Sequence, residues 1–402
     1  MKINTEPHSI RPVKATINLQ ALKYNLARVK QLAPCSRVIS VIKANAYGHG
    51  VLPVAKALND SDCFAVARLD EALYLRNNGI DKSIMLLEGV FSVDDYFTCS
   101  EQGFIPSIHC LEQFQWLQEF AQQNFSRYGQ LSGERNSSKP LDYWLKVDTG
   151  MHRLGLSEAD FMLMLEKISQ LKPELMPTGI MSHFSCADES EHSSNVIQLT
   201  QFNNLCSKPA MAERLADIDK SMANSAAILS LPEAHFDWVR PGIMLYGVSP
   251  FETSATPDND SPRTVLSEQL KPVMTLSSEL IAIKKLKQGD CIGYGASWCC
   301  PEDMSIGVVA IGYGDGYPRH APCGTPVLIH GIEAPLVGRV SMDMITVDLR
   351  VFEQQSVTVR IGDRVILWGD GLPVERVSRK AGTIAYELLC QITQRVYLNY
   401  EQ

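Results

Sequence analysis

No apolar run in this sequence of 402 residues approaches the roughly 18 residues that a membrane helix needs, so no membrane role is expected. No Lys/Arg block of the kind that follows a phosphate backbone occurs either, and the formal net charge is -8, so nucleic acid is a poor partner. Met1 to Lys14 holds Pro, Glu and His where a signal peptide has an apolar core, and the expectation is a cytoplasmic protein. C-x-x-C pairs are absent. The eleven cysteines are an odd number scattered from Cys35 to Cys390, with one adjacent pair, Cys299-Cys300. That pattern is neither a disulfide framework nor a zinc signature, so buried, reduced thiols and no metal are expected, with a catalytic cysteine left open. No Gly-rich turn follows Ile17, as it would in an open doubly wound sheet that binds a dinucleotide. In Gly312-Tyr-Gly-Asp-Gly316 the third glycine comes one residue early for a G-x-G-x-x-G loop.

What is present is a long chain with an ordinary globular composition, 45% hydrophobic and 20% charged, which favours two domains over one core. From Ala15 short apolar strands alternate with longer amphipathic segments. Leu19, Leu22, Leu26, Val29 and Leu32 fall at helical spacing, and a strand follows at Val38 to Ile42. Further strands are expected at Cys63 to Ala67, Ile84 to Leu87, Phe104 to Ile108, Tyr143 to Val147, Thr178 to Ser182 and Phe236 to Val239. Helices are expected at Asp70 to Asn77, Leu111 to Gln122, Glu158 to Leu171 and Val196 to Cys206. About eight such units fit before residue 245, the span of a closed (β/α)8 TIM-like barrel.

The fold class is therefore α/β, with a barrel over residues 1–250 and a mostly-β C-terminal domain over 251–402. The N-terminal residues are free to pack on the second domain. Two polar stretches break the rhythm. Asn124 to Pro140 reads as an exposed insertion, and Glu252 to Pro272 as the domain boundary. After it come short strands at Val273 to Ile283, Ile306 to Ile311, Pro326 to Ile329, Ile345 to Val347 and Arg364 to Leu367, with hardly a helical period until Val374 to Arg395.

Val41-Ile-Lys-Ala-Asn-Ala-Tyr-Gly-His-Gly50 is a β-branched strand that delivers one amine, Lys43, into small residues, an aromatic hydroxyl and glycine. Taken alone, such a lysine either reaches solvent or is received by a partner or covalent ligand. This segment resembles the lysine segment of the alanine racemases, and further segments follow that family's order. They are Lys146-Val-Asp-Thr-Gly-Met-His-Arg-Leu-Gly155, Ser182-His-Phe184, Asn224-Ser225, Val239-Arg-Pro-Gly-Ile-Met-Leu-Tyr-Gly247, Gly293-Tyr-Gly295, Ile311-Gly-Tyr-Gly-Asp-Gly-Tyr-Pro-Arg319, Gly338-Arg-Val-Ser-Met-Asp-Met344 and Ala385-Tyr-Glu387. The resemblance runs from about residue 14 to the C-terminus.

The resemblance implies a homodimer that uses pyridoxal 5′-phosphate to interconvert L-alanine and D-alanine, a supply of D-alanine for peptidoglycan. Racemisation needs an acid/base group on each face of Cα. Lys43 would carry the cofactor and serve one face, and Tyr294, from the partner subunit, would serve the other. Tyr47, Ser225, Gly242, Ile243 and Tyr386 match phosphate contacts. Arg240 matches the arginine facing the pyridine nitrogen, and His183 the histidine bonded to it. Arg153 would hold the substrate carboxylate, and Met342 and Asp343 match a partner-supplied segment beside it, with the Met342 amide as donor. Lys146 matches a lysine that many members carbamylate; otherwise it would pair with a carboxylate such as Asp148. Tyr313, Asp315, Tyr317 and Arg319 would form a narrow entrance corridor that favours a small amino acid. Three alternatives remain: a broader serine/alanine racemase, a decarboxylase of the same cofactor fold, and a non-catalytic cofactor-binding regulator. The last has no use for a second domain.

Overall fold

In the computed structural model, residues 11–129, 141–168, 176–209, 211, 215, 218–251 and 267–402 are described. Strand β1 (Lys14–Asn18) is followed by a helix at Leu19–Leu32, which starts where the Asn18 side chain accepts the Ala21 amide at 2.8 Å and buries Leu22, Leu26 and Val29. Eight parallel strands then close into a barrel: β2 (Arg37–Val41), β3 (Cys63–Val66), β4 (Ile84–Leu86), β5 (Phe104–Ile108), β6 (Trp144–Lys146), β7 (Gly179–Met181), β8 (Asp219–Ser221) and β9 (Trp238–Val239), with β9 pairing back onto β2. Most of these strands are continuous apolar runs because helices cover their outer face and the barrel interior their inner one.

β8 departs from that rule, and the sequence pattern does not reveal it. Asp-Lys-Ser has no apolar period. It becomes a strand through polar bonds: Asp237 accepts the Lys220 amide at 2.8 Å, and Asp219 accepts from Trp238 Nε1 at 2.9 Å. The helix expected at Leu111 to Gln122 continues to Gly129, and residues 130–140 of the polar insertion lie outside the described residues. So do residues 252–266 of the boundary stretch and residues 169–171 of the helix that begins at Glu158. Short helices at Val51–Ala57 and Val93–Gln102 add to those expected.

The second domain is built on β10 (Met274–Leu286), β11 (Cys291–Ile292), β12 (Trp298–Cys299), β13 (Met304–Val309), β14 (Pro326–Ile329), β15 (Ile332–Val337), β16 (Ile345–Asp348), β17 (Arg364–Trp368) and β18 (Tyr397–Glu401). β11, β12, β15 and β18 are additions to the expected set. β14 and β15 form a hairpin through His330 and Gly331, both at positive φ (52° and 77°), the backbone a tight two-residue turn demands. Eight strands form one sheet in the order β13-β16-β15-β14-β17-β10-β1-β18. The first strand of the chain thus belongs to the second domain's sheet, antiparallel to β10 and parallel to β18. The chain starts in one domain, builds the other, and returns.

The cysteine expectation is corrected at two points. Cys291 and Cys299 form a disulfide across the β11–β12 hairpin, where the register sets them opposite each other. The eight-residue separation becomes contact only once the hairpin forms. Cys35, Cys323 and Cys390 are exposed rather than buried, whereas Cys63, Cys99 and Cys300 are buried.

The link between the domains is anchored by a buried amide. Asn25 donates to the carbonyls of Leu245 (3.0 Å) and Lys271 (2.8 Å) and accepts the Lys271 amide (2.9 Å). Replacing it with alanine strands three backbone groups, the Leu245 carbonyl among them fully buried, so Asn25→Ala should lower stability by roughly 2–4 kcal/mol. A fall in the thermal midpoint, followed by circular dichroism, would register it.

Candidate active site

Lys43 leaves the carboxyl end of β2, Lys146 closes β6, His183 follows β7, Ser221 closes β8 and Arg240 follows β9. All therefore meet at the C-terminal mouth of the barrel, where strand ends and their loops converge.

The chain after Lys43 takes an uncommon path. Ala44, Asn45, Ala46 and Tyr47 have φ of 54°, 53°, 54° and 51°, a complete left-handed turn without glycine. Left-handed backbone costs an L-residue roughly 1–2 kcal/mol, so four in succession persist only where contacts hold them. The contacts are specific. Asn45 Oδ1 accepts the Val51 amide at 2.9 Å, and Ala44 N donates to Glu71 Oε1 at 2.7 Å. His49 Nδ1 lies 3.0 Å and 2.9 Å from the carbonyls of Ala46 and Tyr47, so that nitrogen carries the proton. Burial pulls the His49 pKa down to about 4 despite those bonds, and the ring is neutral. The turn ends at Gly48, φ 81°, where a Cβ would stand 2.1 Å from the Leu389 carbonyl oxygen of the second domain. Gly50 sits under the Tyr400 hydroxyl, which donates to the His49 carbonyl at 3.2 Å. The lysine turn is thus wedged between the domains.

Beside it lies a cradle of hydroxyls and amides. The Tyr47 ring stacks on Tyr246 (centroids 4.8 Å) and lies 6.0 Å from Tyr386. Burial pushes the Tyr47 phenol up, with Cys390 adding to it, so it remains a hydroxyl. A Cβ on Gly242 would come within 2.7 Å of the Tyr47 oxygen, so a larger residue there would displace the Tyr47 ring. Ser225 Oγ accepts the amides of Gly242 (2.9 Å) and Met244 (3.3 Å), so its own hydrogen is free to point elsewhere. Ile243 opens the short turn Ile243–Tyr246 behind them.

Across the mouth is a cluster of cations. Arg240 is buried, donating to Ser221 Oγ at 2.6 Å and to the Ser182 carbonyl, with Nη2 3.4 Å from His183 Nδ1. Burial, then the charges of Arg240, Lys146, Arg153 and Lys43, hold His183 far below its usual range and therefore neutral. Lys146 is pulled down to about 8, first by burial and then by Arg240, Arg153 and Lys43, with Glu88 opposing. Arg153 is exposed on a loop whose base is closed by Leu156, which donates to the Lys146 carbonyl at 2.9 Å. Asp148 accepts the amides of Gly150, Met151 and His152 and pairs with His152 at 3.0 Å. Asp148 therefore braces the Arg153 loop rather than neutralising Lys146.

The structure brings together Lys43, Tyr47, Lys146, Arg153, His183, Ser225, Arg240, Gly242, Ile243 and Tyr386. It does not bring Tyr294, Met342 or Asp343 to them. Tyr294 is 69% exposed on the hairpin between β11 and β12, and Met342 is 51% exposed. The entrance residues separate. Tyr313 and Arg319 are exposed, but Asp315 and Tyr317 are buried and cannot line a corridor. The glycine-rich turn folds back so that Asp315 accepts the Gly312 amide (3.0 Å) and meets Arg11 (2.9 Å) and Arg395 (3.3 Å), while the Tyr317 ring stacks on Trp368. Sequence reasoning missed Ser221, hidden in the polar β8, and Glu71. The acidic first turn of the helix Leu69–Asn77 was the available signal for Glu71.

Lys146 makes the charge balance testable. It loses its proton near pH 8 when folded but near 10.5 in an exposed chain, so the unfolded state binds more protons between those values and stability rises with pH across that window. The penalty is full below pH 8 and on the order of 3 kcal/mol. In cofactor-free, CO2-free protein, Lys146→Met should be the more stable form at pH 7, with the gap closing towards pH 10.5 in urea melts.

The family model for the alanine racemase N-terminal domain matches residues 17–250, and that for the alanine racemase C-terminal domain matches residues 273–400. The alanine racemase of Aeromonas hydrophila is 46% identical over 386 residues, 96% of this chain and 98% of that protein. The crystal structure of the biosynthetic alanine racemase of Pseudomonas aeruginosa superposes with a TM-score of 0.85 at 40% identity, covering 98% of this chain and 100% of that one. The Bartonella henselae alanine racemase, solved with covalently bound pyridoxal phosphate, gives a TM-score of 0.82 at 29% identity over 97% of this chain and 99% of that one. With both domains matched in order over nearly its whole length, the chain belongs to the alanine racemase family.

Proposed function

We propose that this chain interconverts L-alanine and D-alanine by a two-base mechanism, with Lys43 serving one face of Cα and Tyr294 of the partner subunit the other. It is an isomerase acting on alanine. The observation that carries the two-base reading is the separation of the pair. Lys43 opens the left-handed turn at the barrel mouth, while Tyr294 stands 69% exposed on the second domain, available to a neighbouring subunit.

The residues present fit pyridoxal 5′-phosphate. Lys43, Lys146, Arg153 and Arg240 act on one another electrostatically, with Glu88 as the opposing charge on Lys146, so the mouth attracts anions. The cradle of Tyr47, Ser225, Gly242, Ile243 and Tyr386 suits a phosphate, which binds through hydroxyls and amides. Bound there, the cofactor supplies an electron sink for the carbanion at Cα. Arg240 keeps its proton even though burial draws it down to about 10, so it would offer the ring nitrogen of the bound cofactor a hydrogen-bond donor and no transferable proton. Neutral His183 lies against that guanidinium without adding positive charge.

Arg153 holds the substrate carboxylate, joined by the Met342 amide of the partner subunit, in the segment whose Asp343 side chain is paired with Arg395 at 2.6 Å. Lys43 Nζ takes the proton from one face and the Tyr294 hydroxyl returns one to the other. Lys146, with a neutral amine accessible near pH 8, is chemically ready for carbamylation, which would place a negative charge beside Arg153. A homodimer follows from this arrangement. A biosynthetic role in the cytoplasm, supplying D-alanine for peptidoglycan, is the physiological reading, supported by the biosynthetic relative.

Two measurements test this. Cofactor-loaded protein in deuterium oxide should wash deuterium into Cα of L-alanine, and more slowly into L-serine, as the optical rotation decays. Absence of exchange with both would remove the racemase reading, while faster exchange with serine would favour the broader enzyme. Separately, mixing the inactive Lys43→Ala and Tyr294→Phe proteins should regain up to about a quarter of parental activity, because statistical heterodimers hold one intact site. No recovery despite verified subunit exchange would place Tyr294 outside the reaction.

A further inference from the structure

The left-handed turn that aims Lys43 has one side-chain partner on its leading edge. Ala44 N, the first amide after the lysine, donates to Glu71 Oε1 at 2.7 Å. The other oxygen of the same carboxylate, Oε2, accepts the amides of Ala67 (2.8 Å) and Arg68 (3.3 Å), which lead from β3 into the helix Leu69–Asn77. One carboxylate therefore ties the ends of two adjacent barrel strands, and it does so at the residue bonded to the catalytic lysine. We infer that Glu71 is a positioning residue for Lys43, acting through the Ala44 amide to hold the lysine turn in its left-handed path.

The chemistry favours a carboxylate there. Three backbone N–H groups converge on it from opposite sides, and only an ionised carboxylate accepts through both ends at once. Glutamine keeps the shape but turns an NH2 towards one of those donors. The other supports of the turn sit further along: Asn45 holds Val51, His49 holds the carbonyls of Ala46 and Tyr47, and Leu389 packs on Gly48. None replaces the bond at Ala44. Glu71 reaches the lysine turn through the backbone amide of Ala44, so its effect should fall on the precision of the amine and not on substrate capture, which belongs to Arg153.

The inference rests on Lys43 being the cofactor-bearing amine, so the test begins without cofactor. In the cofactor-free full-length chain, Glu71→Gln and Glu71→Ala should speed amide hydrogen exchange at residues 44–48 by about tenfold or more, with the strand Cys63–Val66 unchanged. In loaded protein, kcat should fall by about 10- to 100-fold while KM for alanine stays within about twofold, as expected for a misplaced acid/base group. Glu71 also caps its own helix, and Ser92→Ala controls for that. Ser92 caps the helix Val93–Gln102 by accepting the Asp95 amide at 3.2 Å, far along the chain from the lysine.

Ser92→Ala should lower the thermal midpoint by a similar amount and leave kcat unchanged. Unaltered exchange at residues 44–48 in both Glu71 variants, or an equal loss of kcat in Ser92→Ala, would overturn the assignment. If the parent chain neither takes up pyridoxal phosphate nor racemises alanine, the proposed function fails, and the exchange data still decide whether Glu71 holds the turn.

Discussion

Four consecutive L-residues in left-handed conformation, Ala44 to Tyr47, are the constraint on which the site depends. Such a turn is unfavourable in isolation, so it exists only because two domains and a neighbouring strand end press on it. Gly48 lies against the Leu389 carbonyl and Gly50 against Tyr400, both from the second domain, while Glu71 reaches across from the helix after β3. Lys43 therefore has its direction set by the contact between the barrel and the β domain, and each domain is incomplete without the other.

The same contact explains why the chain crosses between domains. β1 enters the second domain's sheet between β10 and β18 before the barrel begins, and Asn25, one helix later, ties the barrel to the linker at Lys271. A barrel joined to its partner domain by a single flexible linker would be free to move against it. Here β1 and the buried amide of Asn25 restrict that movement, which keeps Tyr386 within 6.0 Å of Tyr47.

Lys146 and Arg240 are buried with like-charged neighbours, and His183 between them stays neutral because burial and that positive field both oppose its proton. Buried cations in this concentration destabilise the empty site and favour an anionic occupant, a trade of stability for binding that is common at functional sites. Arg11, Arg395, Asp315 and Asp343 do the opposite on the second domain: opposite charges meet, and the glycine-rich segment is locked in place.

By itself the sequence determined the positions of most barrel strands and the change to short β-strands after residue 272, because short apolar runs and Gly- or Pro-marked turns are local signals, while the residues that meet at the barrel mouth were singled out by the resemblance of their segments to the alanine racemases. The strand Asp219–Ser221 was illegible because polar hydrogen bonds with Asp237 and Trp238, not apolar period, make it a strand. The Cys291–Cys299 disulfide depends on hairpin register, and the burial of Asp315 and Tyr317 depends on which way a glycine-rich turn folds back. The left-handed course of Ala44 to Tyr47 and the reach of Glu71 belong to the same group. These properties arise from atoms distant in sequence meeting in space, which only the tertiary structure decides.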